Sequence, residues 1–161
     1  MKNRFLYLIV LALLTSCNSL SDDFFQFLFN SKSIRLTREC EDNPSIFSEG
    51  RSFEIYSLSE KNAQLAIQGI LNKSRNVDDK KFRYKTPQWQ HTPVKNDSTD
   101  AFIESEITED RNRCFDHDEL TKVLKQKGNY YSFLRDDLGR IKLFILDIRK
   151  RKLFLLTSYE V

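Results

Sequence analysis

The chain has 161 residues, with 26 Lys and Arg against 23 Asp and Glu and a formal charge of +3. That length suffices for one domain with a real core and is short for two, and so small a net charge argues against nucleic acid as a partner. Four glycines and two histidines supply no HExxH, no GxSxG, no phosphate-cradling glycine loop and no regular calcium loop.

In chain order, Met1-Lys2-Asn3-Arg4 is a basic head, Phe5 to Leu14 is almost wholly apolar, and Thr15-Ser16 are small residues before Cys17. An apolar run of about ten residues is too short to span roughly 30 Å of hydrocarbon as a helix and reads as a secretory signal. Leu14-Thr15-Ser16-Cys17 resembles the lipobox of bacterial lipoproteins, with Leu three before the Cys and a small residue just before it. The resemblance implies that residues 1–16 are removed and that Cys17 carries diacylglycerol, with a further acyl chain such as palmitate on its new amino group. The membrane is then a partner through the anchor. At about 0.8 kcal/mol per buried methylene, two or three chains give stable attachment where one does not. The resemblance covers the signal and its Cys alone and implies nothing about the mature fold.

Beyond the anchor, Ser21-Asp22-Asp23-Phe24 is similar to the short acidic tag that exports some lipoproteins to the cell surface. Ser21 or Asp22 would equally cap a short helix. Asn18 stands where an Asp would resemble an inner-membrane retention signal, so the expected place is the outer membrane, its periplasmic or surface face undecided. Loss of Lys2 and Arg4 with the signal leaves a mature chain of 145 residues and a charge of about +1. With Cys17 acylated, Cys40 and Cys114 are left as a pair, expected as a disulfide in an oxidising compartment. A catalytic Cys would need a nearby His and a thiol kept reduced.

Phe24 to Phe29 is apolar at five of six positions, and this segment either packs into the domain or lies against the membrane; packing is expected. Ser33 to Cys40 alternates, with Ile34, Leu36 and Cys40 on one face of a predicted strand, and Asn43-Pro44 and Gly50 mark a loop. Ser52 to Leu58 is a second strand, Phe53 and Ile55 alternating against Glu54 and Tyr56. Ser59 then caps a helix whose apolar face is Ala63, Ala66, Ile67, Ile70 and Leu71. Gly69 inside it suggests a close approach to a strand. Phe82 to Lys85 reads as another strand, bounded by Pro87, and Ala101 to Ile103 as a short one.

Between Pro87 and Pro93 lie Trp89 and His91. They form either a contact surface for a sugar or protein, or a Trp that covers the core edge beside a solvated His. The second is the simpler reading. Asp116-His117-Asp118-Glu119 looks like metal chemistry, yet its spacing fits a capping box at Asp116 and Glu119, followed by Leu120, Val123 and Leu124 on one helical face and closed by Gly128. His117 with one adjacent acid falls short of a zinc site, and no metal or cofactor is expected.

The last third reads as a three-stranded meander over Asn129–Arg135, Arg140–Ile148 and Leu153–Tyr159, with turns at Asp136–Gly139 and Arg149–Lys152. The middle strand is apolar on both faces and is expected to be covered on both. Its turn, Arg149-Lys150-Arg151-Lys152, is either a basic contact surface or a solvated turn that keeps strong strands from aggregating. Charge segregates, with six acids and no base over 97–110 against ten bases and three acids over 120–152.

The expected architecture is α+β: a mainly antiparallel sheet of five or six strands with two principal helices packed on it. The expected division is a signal at 1–16, an anchored segment at 17–32 and one domain at 33–161. Three function classes follow. The favoured one is a lipid-anchored envelope module that binds a protein or glycan. The second is an inhibitor or immunity-type lipoprotein that neutralises a toxin or hydrolase. The third, an enzyme using His91 or His117 with a carboxylate, is disfavoured because no catalytic set is present.

Overall fold

A computed structural model of the chain describes residues 21–42, 52–72, 87–95, 114, 116–135 and 140–159. Ser21 accepts a hydrogen bond from the Phe24 N–H and caps α1 (Asp22–Leu28), with Asp22 and Asp23 in the first turn, where negative charge suits the helix dipole. Phe24, Phe25, Phe27 and Leu28 are buried, as is Phe29 just beyond. The acidic stretch is therefore the opening turn of a core helix.

Strand β1 (Thr37–Asp42) starts four residues later than the alternation from Ser33 suggests. Ile34 packs in one core cluster and Cys40 against the other, so the single face expected for Ile34, Leu36 and Cys40 is not formed. The cause is a bulge: Arg38 lies opposite Tyr56 and Cys40 opposite Ile55, leaving Glu39 as the extra residue. One added residue reverses every later side chain, and that reversal aims Cys40 at Cys114.

Strand β2 (Ser52–Ser57) is buried through Phe53, Glu54, Ile55 and Tyr56, so the face holding Glu54 and Tyr56 is covered as well. Ser59 caps α2 (Glu60–Leu71) through the Asn62 N–H. Ala63, Ala66 and Ile70 are buried, whereas Leu71, at the last turn, is 60% exposed. Gly69 does make a close approach, though to the backbone of Phe29 and not to a strand: a Cβ there would stand 1.5 Å from the Phe29 carbonyl oxygen.

The remaining elements are β3 (Gln90–His91), α3 (His117–Lys125), β4 (Tyr130–Arg135), β5 (Arg140–Asp147) and β6 (Lys152–Tyr159). Six strands form one sheet in the order β1-β2-β6-β5-β4-β3, each neighbour antiparallel. Among the described residues there are three helices, so the class is α+β, with the upper strand number expected and one helix beyond the two expected.

Two core clusters flank the sheet. The first joins buried residues of α1 and α2 to Tyr56, Tyr130, Phe144, Leu146, Leu153 and Leu155; Phe25 meets Tyr56 edge-on at 4.8 Å. The second joins Leu120, Val123 and Leu124 of α3 to Phe53, Ile55, Tyr131, Leu143, Ile145 and Phe154. Strands β5 and β6 alternate between the two, which explains why both faces of each are apolar. Cys40 and Cys114 are bonded, their Cα atoms 5.7 Å apart, at the margin of the second cluster.

The strand expected at Phe82–Lys85, the short one at Ala101–Ile103, the loop at Asn43–Gly50, the turn at Asp136–Gly139 and the lipobox with Cys17 lie outside the described residues. Among the described residues, no helix is long and apolar enough to cross a membrane.

Candidate functional site

Two features proposed from sequence, the Trp89 edge and the basic turn, lie toward the same end of the sheet. His91 pairs with Tyr130, Tyr130 with Leu146, and Leu146 with Leu153, so His91 is level with the start of β6. Strands β4 and β5 stand between, about 14 Å at roughly 4.8 Å per strand. The two features therefore share an end of the molecule without forming one constellation.

At the edge, the Trp89 indole N–H donates to the Leu28 carbonyl at 3.0 Å, and the ring stacks on Phe29 with centroids 5.2 Å apart and planes at 16°. The only Trp thus closes the first core cluster over the end of α1. Its polar handle is satisfied within the protein. His91 is exposed, its ring 4.6 Å from that of Tyr130. Gln90 points to the other side of the edge strand, where its side-chain oxygen accepts from the Tyr131 hydroxyl at 2.6 Å; burial pushes the Tyr131 pKa up.

This geometry fixes an expected result for Trp89. Trp89→Ala loses a half-buried ring and should cost about 2 kcal/mol, below the 3–5 typical of a fully buried Trp. Trp89→Phe keeps the stack and loses one hydrogen bond, about 1 kcal/mol. Urea unfolding followed by far-UV circular dichroism separates the two: equal costs would mean that the stacked ring adds nothing beyond the hydrogen bond, and an unchanged Trp89→Phe would mean that the indole N–H contributes nothing.

The edge is tied to the helix below by polar groups that sequence reading passed over. Thr92 donates through its hydroxyl to the Gln126 carbonyl and accepts from the Asn129 N–H at 3.1 Å. Asn129, only 2% exposed, donates to the Val123 carbonyl at 2.9 Å and accepts from the Ile148 N–H at 3.3 Å. One amide thus links α3, β4 and the basic turn. Nothing in the local sequence marks it, because all these partners come from tertiary contact.

In the basic turn, buried Asp147 accepts from the backbone N–H groups of Arg149 and Lys150 at 2.9 and 3.0 Å. Arg151 adopts φ 55°, a left-handed conformation uncommon outside glycine. Lys150 hydrogen-bonds Glu119 of α3, and Lys152 lies 3.3 Å from Glu39. The Glu119 hydrogen bond holds the Lys150 pKa above its ordinary value, helped by the charges of Glu119 and Asp147. A raised lysine pKa stabilises fully below the unfolded value, and the effect is lost as pH climbs through the folded one. Arg149 and Arg151 are exposed and make no ion pair among the described residues.

Asp116 caps α3 by accepting from the Asp118 N–H at 3.1 Å. Glu119 reaches the turn instead of completing a capping box. The helix stops at Lys125, before Gly128, whose φ of 96° serves the following loop. His117 is the first residue of α3. Among the described residues no three of His, Cys, Asp and Glu gather as a metal site.

A buried charged group was not legible in the sequence. Glu54, 8% exposed, accepts from the Tyr56 hydroxyl and lies 3.8 Å from Arg38, which also pairs with Glu41. The bulge at Glu39 sets Arg38 and Glu41 on the same face, beside Tyr56 and Glu54. The group ties the edge strand β1 to β2. No protein-family model, no curated protein and no solved structure matches the chain.

Proposed function

We propose that the chain is a bacterial lipoprotein, attached through lipid on Cys17 to the outer membrane, and that it works as a binding or accessory module rather than as an enzyme. The observation that carries this reading is the distance between box and fold. Cys17 stands four residues before Ser21, the cap of a helix whose apolar residues belong to the core. A lipid on Cys17 would hold a folded domain close to a membrane, with no long linker between. The Cys40–Cys114 bond suits the oxidising compartment to which such a signal leads. In this reading the C-terminal strands act as one meander with helices on both faces, and the surfaces open to a protein or glycan are His91 with the rim of Trp89 and the exposed bases of the turn.

Cys17→Ala tests the anchor. The variant should lose its acyl chains and move from the membrane fraction to the soluble one, because the described domain offers no spanning helix in their place. Retention on membranes after carbonate washing would count against the lipoprotein reading.

A further inference from the structure

We infer that the end of the sheet bearing the basic turn lies against the anionic headgroups of the membrane that holds Cys17. This orientation rests on the lipoprotein reading and adds to it the face that meets the bilayer. A chain of contacts places the start of α1 at that end. The Asp22 carboxylate lies 3.6 Å from Arg35 Nε. The Arg35 carbonyl accepts from the Asn62 side chain, in the first turn of α2. Leu58, next to the α2 cap, donates its N–H to the Arg151 carbonyl at 2.9 Å. Register agrees, since Thr37, Ser57 and Lys152 are lateral neighbours across β1, β2 and β6.

Reach then limits the geometry. Residues 18–20 separate Cys17 from Ser21, and at about 3.5 Å per residue the Cys17 Cα stays within roughly 14 Å of the Ser21 Cα. That is shorter than the six-stranded sheet is wide, about 24 Å at roughly 4.8 Å per strand, so the end of the domain around Ser21 is the one held near the bilayer.

Charge selects the chemistry of the contact. Arg35, Lys150 and Lys152 are answered by Asp22, Glu119 and Glu39. Lys61, Lys127, Arg149 and Arg151 are exposed with no ion pair among the described residues. Lys61 is in the first turn of α2. Lys127 is in the loop whose Asn129 holds Ile148 at the base of the turn. Besides the paired Asp22 and Glu39, exposed acids among the described residues include Asp23 and Glu60, which open α1 and α2 on one face, and Asp116 and Asp118, which open α3 on the other. Four exposed bases with no ion pair among the described residues would, once within about one Debye length, roughly 10 Å, of headgroups, favour an anionic surface over a zwitterionic one.

The test uses the membrane-extracted lipoprotein reconstituted into vesicles of phosphatidylcholine alone, or of phosphatidylcholine and phosphatidylglycerol in equal parts. Amine acylation read by mass spectrometry reports which lysines are covered, and the mass of the N-terminal peptide reports the lipid. Lys61 and Lys127 should react several-fold more slowly on the anionic vesicles. Lys142, about 17 Å along β5 from Asp147 at 3.4 Å per residue, should react alike on both. Reversing the exposed Arg149 and Arg151 in the double variant Arg149→Glu, Arg151→Glu should remove that protection, each lost base weakening the contact about fivefold, with circular dichroism confirming the fold. An acylated N-terminal peptide with equal lysine reactivity on both vesicles overturns the orientation and leaves the lipoprotein reading standing. An unacylated N-terminal peptide overturns both.

Discussion

Removing the Cys40–Cys114 bond, by reductant or as the Cys40→Ser, Cys114→Ser double variant, should lower stability by about 4 kcal/mol in the chain-entropy account of a loop this long. The bond joins residues 74 apart in sequence, so its loss frees nearly half of the chain to expand when unfolded. That figure is a large share of the 5–15 kcal/mol typical of a native domain. Urea titration with and without reductant measures it directly, and the slope of the transition should rise as well, since the unlinked unfolded chain exposes more surface. An unchanged midpoint would mean that the two thiols are not joined in the native protein. Local packing gives the same direction: Cys40 and Cys114 lie at the margin of the second cluster, and serine hydroxyls there would have to be solvated or satisfied anew.

Gly69→Ala carries the second large effect, and its sign distinguishes two arguments. Helix propensity alone favours Ala over Gly by about 1 kcal/mol, which would make the change stabilising. The Phe29 carbonyl oxygen, 1.5 Å from where the methyl would sit and with its carbon at 2.7 Å, belongs to backbone that cannot rotate away. Helix α2 would have to lift off the end of α1, opening the stack of Phe29 on Trp89. The expected net cost is about 2–4 kcal/mol, the upper range of overpacking, read as a lowered thermal midpoint. Gln68→Ala, one residue earlier and exposed, should change stability by less than about 0.5 kcal/mol. Equal midpoints for Gly69→Ala and Gln68→Ala would show that the helices are not held this closely.

What could be read from the sequence was mostly local. Ser59 announces α2 because a short hydroxyl before an apolar 3.6-residue period has one favourable use. Strand β5 declares its burial because both sides of its alternation are apolar. Parity after Glu39 could not be read, since a bulge is one unpaired residue with no side-chain mark. Glu54 and Tyr56 alternate against Phe53 and Ile55 yet are buried too, with Phe25 of α1 packed on Tyr56, and five apolar residues in six from Phe24 to Phe29 show no period to reveal a helix. The same holds for the surface residues. The Trp89 loop was visible as a rare aromatic between prolines, but its anchoring to Leu28 and Phe29 depends on segments sixty residues away. The four bases of the turn were visible as a run, whereas their division into two paired and two without an ion pair among the described residues depends on α3 and β1.

The strand order has a consequence for assembly. Strand β6 lies between β2 and β5, so the half built from β1 and β2 and the half built from β5, β4 and β3 share no ladder until β6 is inserted. It is the last described strand to be synthesised. The β1–β2 half is then a two-stranded hairpin with an open edge, marginal on its own, the other half also keeps an edge open, and the native sheet closes only when the segment from Lys152 to Tyr159 has emerged. A chain delivered from its N-terminus would thus complete the described sheet only once residues 152–159 had followed the other strands, which keeps those earlier strands threadable through a narrow exit until then.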